Sequence, residues 1–306
     1  MVQSDGHLEP LRYKSWDDIP AGLFSKTALG QKGLKPGPFV HGSIYLKSRR
    51  ILVELYREDE AVPKRAPSPK QLAALEKARA VQEEARTCTS CRTVGSEYLY
   101  GQLCEHCRHE LWLTEVSEKS RERFRRWVEH SNAYAVLDVE TTALDDDAEI
   151  VEIAVVALDG AVLYQSLVRP LNPIPPEATA IHGITDEMVA GAPRWTDVWP
   201  DVRRLFVDRI ALIYNDDFDT RMVYQACMQH HLPAGIIASK CVMKTYARFG
   251  RSYSWKHRDY TWISLANACS EQGVKVKDAH RALGDASMTV QLIQCVGRKE
   301  YGITCL

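Results

Sequence analysis

The stretch LDVETTALDDDAEIVEIAVVALDG, Leu137–Gly160, decides how this chain is read. Ala135–Val139 and Ile150–Leu158 are apolar and rich in β-branched residues, and both predict strands. Asp159-Gly160 predicts a hairpin turn into a third strand over Val162–Val168. Side chains alternate between the faces of a strand, so Asp138 and Glu140 point the same way. Carboxylates embedded in apolar strands are costly unless something cationic compensates them. The pair therefore reads as a cation site, with a solvated acidic strand end as the bland alternative.

Further along, YNDDFD brings Asp219 and HRALGD brings His280 and Asp285. Four carboxylates converging on one point would repel each other, and divalent metal is their natural partner. With a histidine beside them the set reads as a metal-dependent phosphodiester-cleaving site. His280 and Asp285 are five residues apart and would lie about 140° apart on one helix. Both can face the metals only if His280 sits on a loop and the helix begins just after it. Lys277-Asp278-Ala279 permits that loop.

LDVETT, IHGIT, IYNDDFDTRMV and HRALGDASMT occur in the order found in the DEDDh 3′–5′ exonucleases, and Ala133–Val296 resembles that family. The family includes proofreading exonucleases, RNase T and oligoribonuclease. The resemblance implies an α/β, ribonuclease-H-like domain with a central five-stranded mixed sheet. It implies two Mg²⁺ or Mn²⁺ ions, about 4 Å apart, clamping the attacking and leaving oxygens of the phosphate. Asp138, Glu140 and Asp285 would hold one ion, with Asp138 bridging to a second that Asp219 helps to hold. His280 would be the general base, a role suited to a residue that titrates near neutrality.

The resemblance also places Thr141, Thr142, Leu144 and His182 around the terminal nucleotide, although packing serves Leu144 and His182 equally well. Asn215 is either a helix cap or a substrate contact. Two positions depart from the family. Asp216 stands where a small residue is usual, adding a negative charge, and Ala143 replaces a frequent glycine.

Cys88-x2-Cys91-x12-Cys104-x2-Cys107 has the paired spacing of a structural zinc site. Four thiolates make a closed, soft site, so one Zn²⁺ here would support folding rather than hydrolysis. His106 and His109 read as bystanders. Cys227, Cys241, Cys269, Cys295 and Cys305 are scattered among apolar positions and read as reduced thiols.

With 306 residues, 45% apolar and 26% charged, the chain is ordinary for a soluble protein and long enough for two domains. No apolar segment marks a signal peptide at the start, and none is long enough to span a bilayer, so the expectation is cytoplasmic with no membrane partner. The expected divisions are 1–87, an N-terminal α+β region ending in a helix; 88–110, the zinc module; 111–131, a charged helical linker; and 132–306, the exonuclease domain. In the first region, a strand or strand pair is predicted around Gly42–Leu55, while ALGQKGLKPGPFVHG reads as loops. Ser68-Pro69 predicts a capped helix start running to about Arg86. Later helices are predicted at about 109–130, 186–189, 195–206, 218–230, 264–272 and 282–296, with a strand at Ile210–Tyr214.

Residues 1–131 carry 22 Lys and Arg against 18 acids, and the remainder 17 against 22. That makes the first part the more favourable contact for a polyanion. Two basic tracts stand out. Arg121, Arg123, Arg125 and Arg126 suit a solvated, salt-bridged helix face. Arg248–Trp262 interleaves cations with Tyr253, Trp255 and Tyr260. It reads either as a strand-gripping loop or as a surface loop whose rings cover the core, Trp262 among them. The expected partner is a nucleic acid 3′ end, single-stranded DNA or RNA, with a polymerase or repair protein as a further partner. DNA proofreading or repair is the leading expectation; RNA trimming, or a zinc-bearing adaptor with little activity, are the alternatives.

Overall fold

The computed structural model describes residues 10–95, 97, 99–233 and 237–298. The chain divides into two compact units, one of residues up to 102 without 89–91, the other of 89–91 with 103 onward.

The first unit is α+β: β1 (Leu11–Tyr13), β2 (Leu23–Ser25), α1 (Lys26–Gln31), β3 (Leu34–Lys35), β4 (Gly42–Leu46), β5 (Ile51–Arg57), β6 (Val62–Pro63) and α2 (Pro69–Glu84). Its main sheet has the order β1-β4-β5-β2, and β4 and β5, where a strand or strand pair is expected, are antiparallel. The stretch expected as loops contains most of α1 and all of β3. Ser25 Oγ accepts from the Ala28 N–H at 3.2 Å and Leu29 is fully buried. A cap and one anchoring side chain thus outweigh the local glycines. α2 starts as expected, with Ser68 and Gln71 in a reciprocal capping box around Pro69, and stops two residues short of Arg86.

The second unit opens with α3 (Glu105–Glu129), followed by β7 (Tyr134–Thr141), β8 (Ile150–Ala157), β9 (Val162–Leu167), α4 (Pro176–His182), α5 (Asp186–Val189) and α6 (Trp195–Leu205). Then come β10 (Ile210–Ile213), α7 (Asp216–Gln229), β11 (Ser239–Cys241), α8 (Val242–Phe249), β12 (Tyr253–Ser254), β13 (Asp259–Tyr260), α9 (Leu265–Gln272) and α10 (Ala282–Arg298). The sheet order is β11-β10-β7-β8-β9. β7, β8 and β9 are antiparallel neighbours, while β10 and β11 run parallel to β7. This is the mixed five-stranded, ribonuclease-H-like α/β arrangement.

Strand alternation sorts the two faces. Ala135, Leu137 and Val139 pack with Trp195, Trp199, Met222 and Val223 of α6 and α7. Val136, Ala154 and Val156 pack with α3, α8, α9 and α10 on the opposite face. The charged helix read as a linker is one of these layers: Phe124 and Trp127 of α3 lie in the core against α10. Gly297 permits the close approach, since a Cβ there would come within 2.8 Å of the Phe124 carbonyl oxygen. Its arginines follow the bland expectation, with half-buried Arg121 paired to Glu118, and exposed Arg125 paired to Glu122 and Glu129 and Arg126 to Glu122.

Two expectations need correction. Trp262 does not cover the core; it is 46% exposed and is absent from the residues packed against the core clusters. Cys227, Cys241 and Cys269 are free thiols, whereas Cys295 is disulfide-bonded, which an argument from compartment averages does not decide. Cys305 lies outside the described residues. Among the described residues no helix is long and apolar enough to cross a membrane.

Candidate active site

Asp138 and Glu140 continue the Val136 row of β7, the row that faces α10. α10 begins at Ala282, so His280 sits on the preceding turn and Asp285 in the first helical turn, the geometry its spacing demands. One carboxylate oxygen each from Asp138, Glu140 and Asp285 lies within 4.8 Å of the others. The His280 N–H donates to Asp285 Oδ1 at 3.2 Å, tying the turn to the helix. His280 has φ of 61° and Asp278 of 51°, so the turn uses two left-handed non-glycine residues. Gly284 makes it possible, because a Cβ there would collide with the Asp278 carbonyl oxygen.

Asp219 approaches from the other side of β7. The parallel pairing of β10 with β7 ends at Leu212 and Val136, leaving later β7 groups open on that side. There the Val139 N–H donates to the buried Asp219 Oδ1 at 3.2 Å. A register shift follows between Glu140 and Thr141, where Thr141 pairs with Ile150 and Val151 is the extra residue on β8.

The electrostatics of this cluster are those of a site built around a cation. Burial, then Asp219, Asp285 and Glu140, push the Asp138 pKa well above the carboxylate range. Burial, then Asp285 and Glu152, push Glu140 up to about 8. Burial also raises Asp219 to about 8, with the Val139 N–H opposing the shift. Asp285 is raised by burial, against the His280 N–H. The chain supplies hard oxygen donors and too little positive charge to ionise them together, which is the donor chemistry that suits Mg²⁺ or Mn²⁺.

Glu152 is a member of this neighbourhood that the sequence motifs do not single out. It faces Glu140 across β7 and β8, is 1% exposed, and is fully compensated. Arg281 Nε and Nη2 donate to its two oxygens at 2.9 and 2.7 Å, and the Ala282 N–H adds a third bond at 3.0 Å. That fork fixes the residue between His280 and the start of α10. The apolar run around Glu152 is its only signal in the sequence; its partner is distant in the chain.

Beside the acids lies a cavity of about 480 Å³. Glu140 and His280 line it, together with Thr141, Thr142, Leu144 and His182. Leu144 is 75% exposed, so it is not a packing residue. His182 is buried; its Nδ1 accepts from the Ile184 N–H at 3.0 Å, while Nε2 has no hydrogen-bond partner among the described residues. Burial lowers its pKa. Asn215 does not line the cavity; it occupies the N-cap position of α7 without a side-chain capping bond. Phe218, close behind it on α7 and within the YNDDFD stretch, does line the cavity.

The two departures from the family are accommodated. Asp216 accepts from the Ser239 hydroxyl at 3.2 Å, and Lys244, which pairs more closely with Asp217, lies 3.8 Å from it, so its charge is partly offset beside β11. Ala143 is not among the left-handed residues, so no glycine is needed there.

The second candidate metal group is the cysteine quartet. Sulfurs of Cys88, Cys91, Cys104 and Cys107 all lie within 4.8 Å of one another. Cys104 caps α3, its Sγ accepting from the Cys107 N–H at 3.4 Å. This arrangement fits a zinc module. Neither His106 nor His109 belongs to the group.

Comparison with known proteins agrees with this geometry. The family model described as RNase_T, exonuclease, matches residues 135–293. "Uncharacterized exonuclease CP81" of Escherichia phage 186 is 41% identical over 184 residues, covering 58% of this chain and 93% of that protein. "DNA polymerase III subunit epsilon" of Treponema pallidum (strain Nichols) is 29% identical over 167 residues, covering 52% and 74%. "3'-5' exonuclease DinG" of Staphylococcus haemolyticus (strain JCSC1435) is 30% identical over 166 residues, covering 53% of this chain and only 18% of that protein. With the DEDDh residues in order along the sequence, the chain belongs to the RNase T family of exonucleases.

Proposed function

We propose that this exonuclease removes nucleotides from the 3′ ends of DNA, in proofreading or repair, and releases 5′-monophosphates. The observation that carries the reading is the convergence of Asp138, Glu140 and Asp285 beside a cavity that His280 also lines. The 3′–5′ direction is supported by the name of the DinG relative, and DNA as substrate by the polymerase subunit among the relatives. A polymerase or repair assembly is the partner this favours.

In this reading Asp138, Glu140 and Asp285 hold one divalent ion, and Asp138 and Asp219 a second. When bound, Mg²⁺ or Mn²⁺ supplies charge stabilisation at the phosphate and lowers the pKa of water. His280, exposed at the cavity mouth, accepts the proton of the attacking water. Leu144 and Phe218 offer apolar surface to the terminal base, and Thr141, Thr142 and His182 border the sugar and phosphate. Zn²⁺ on the four cysteines supports folding of the region that carries them.

A substrate panel tests this. The protein is incubated in Mg²⁺ with 5′-labelled single-stranded DNA, duplex DNA with a recessed 3′ end, and RNA of the same sequence. Stepwise shortening of the labelled DNA strands, faster than of RNA, is the expected result. Release of the 5′ label as a mononucleotide, or faster shortening of RNA, would overturn the direction or the substrate respectively.

A further inference from the structure

We propose that the β12–β13 hairpin and the first turns of α3 form a docking surface for single-stranded nucleic acid, separate from the cavity at the carboxylates. The surface is a cluster of rings. Tyr253 and Tyr260 are cross-strand partners, 5.4 Å apart at their centroids. Trp255 stands at the hairpin tip, 5.4 Å from Tyr253 and 3.7 Å from His109 of α3. Trp112 of α3 closes the group, edge-on to Tyr253 at 5.4 Å. The rings brace one another, yet Trp255 remains 61% exposed. A braced, exposed indole is a stacking platform that loses little freedom when a base lies on it.

The charges around the rings favour a polyanion. Residues 132–306 carry 17 Lys and Arg, and four of them, Arg248, Arg251, Lys256 and Arg258, fall within eleven positions. Arg248 lies over the Tyr260 ring at 5.5 Å and Arg251 pairs with Glu110. Lys256 and Arg258, both exposed, make no ion pair among the described residues. The arginines of α3 between 121 and 126 contrast with them, because their own helix largely neutralises that tract. Only Asp259 opposes the cations within the hairpin segment. Free cations for phosphates beside an exposed ring for bases is the chemistry of a single-strand site, and a duplex offers no unstacked bases to it.

The role of this surface as a guide for substrate rests on the exonuclease reading, whereas its binding chemistry does not. The test therefore measures binding without cleavage. Fluorescence anisotropy of labelled dT20 and rU20, and of a blunt DNA duplex, is recorded with the full chain, no added divalent metal, and 50–300 mM KCl. Trp255→Ala is expected to weaken binding of both single strands about tenfold, with Trp255→Phe retaining most of it. Lys256→Ala/Arg258→Ala leaves the rings in place and is expected to flatten the salt dependence of log K by about 1.4, at roughly 0.7 per phosphate contact. Wild-type affinity in Trp255→Ala, an unchanged salt slope in the double variant, or an equal Trp255→Ala effect on the blunt duplex would each overturn the proposal. Strand binding by a protein that hydrolyses nothing would sink the exonuclease reading and leave this surface standing.

Discussion

Glu140 and Glu152 face each other across β7 and β8 and are compensated in different ways. Glu152 is locked by the Arg281 fork and a backbone N–H. Glu140 has no such partner among the described residues, and burial, then Asp285 and Glu152, push its pKa up to about 8. The fold thus satisfies one carboxylate of the pair and leaves the other to a ligand. Removing the guanidinium should expose that division of labour. Arg281→Ala strands a buried carboxylate and should destabilise the protein by about 3 kcal/mol in chemical denaturation. Arg281→Lys should recover only part, lacking the fork. An Arg281→Ala variant that unfolds at the wild-type denaturant midpoint would refute the clamp.

The raised acids make stability depend on pH. Glu140 and Asp219 keep their protons to about pH 8 in the metal-free fold, whereas unfolded carboxylates release theirs near pH 4. Between those values the folded state binds more protons, so stability conferred at low pH is lost as the pH rises through 8. Tm without divalent metal should fall from pH 5 to pH 8.5, Glu140→Gln should flatten the fall, and Mg²⁺ should raise Tm more at pH 8.5 than at pH 5. Metal is removed by gel filtration, since a strong chelator would also attack the cysteine quartet. A Mg²⁺ effect of equal size at both pH values would contradict this.

Gly284 ties a backbone contact to catalysis. Gly284→Ala forces α10 away from the Asp278 carbonyl and should displace the His280 turn. The expected outcome is a loss of kcat of about tenfold or more with a folded protein, on the scale of a misplaced catalytic group. Activity and circular dichroism measured together check it; unchanged kcat would show that the turn tolerates the shift.

Much of this site is legible in the sequence alone. Asp138 and Glu140 follow from strand alternation, and the five-residue interval from His280 to Asp285 requires the loop-then-helix geometry that α10 displays. The Glu152–Arg281 fork is not legible, because its partners lie 129 positions apart and nothing in either segment points to the other. β11 escapes for a different reason: three residues, Ser239-Lys240-Cys241, are too few and too polar to show a strand pattern. In α1 a cap and the buried Leu29 decide against the loop composition, and in Trp262 a large ring lies outside the core. Local periodicity finds elements whose stability is local; tertiary contacts decide the rest.

The cysteine quartet predicts one zinc per chain. Cys104→Ser should lower the bound metal well below one equivalent and lower Tm through the loss of the metal, since serine retains the cap of α3. Elemental analysis of both proteins checks this, and a full zinc equivalent in the variant would contradict a four-cysteine site.

Comparison of the wild type with Asp138→Asn on a 5′-labelled single strand, across a Mn²⁺ titration, bears most directly on the carboxylate site. Asparagine keeps the shape and removes the charge that the cluster shares. The wild type should shorten the strand stepwise from its 3′ end only when metal is present, and the folded variant should be slower by at least about a hundredfold. Trimming by Asp138→Asn at the wild-type rate, or trimming by the wild type without divalent metal, would contradict the carboxylate site as the seat of catalysis.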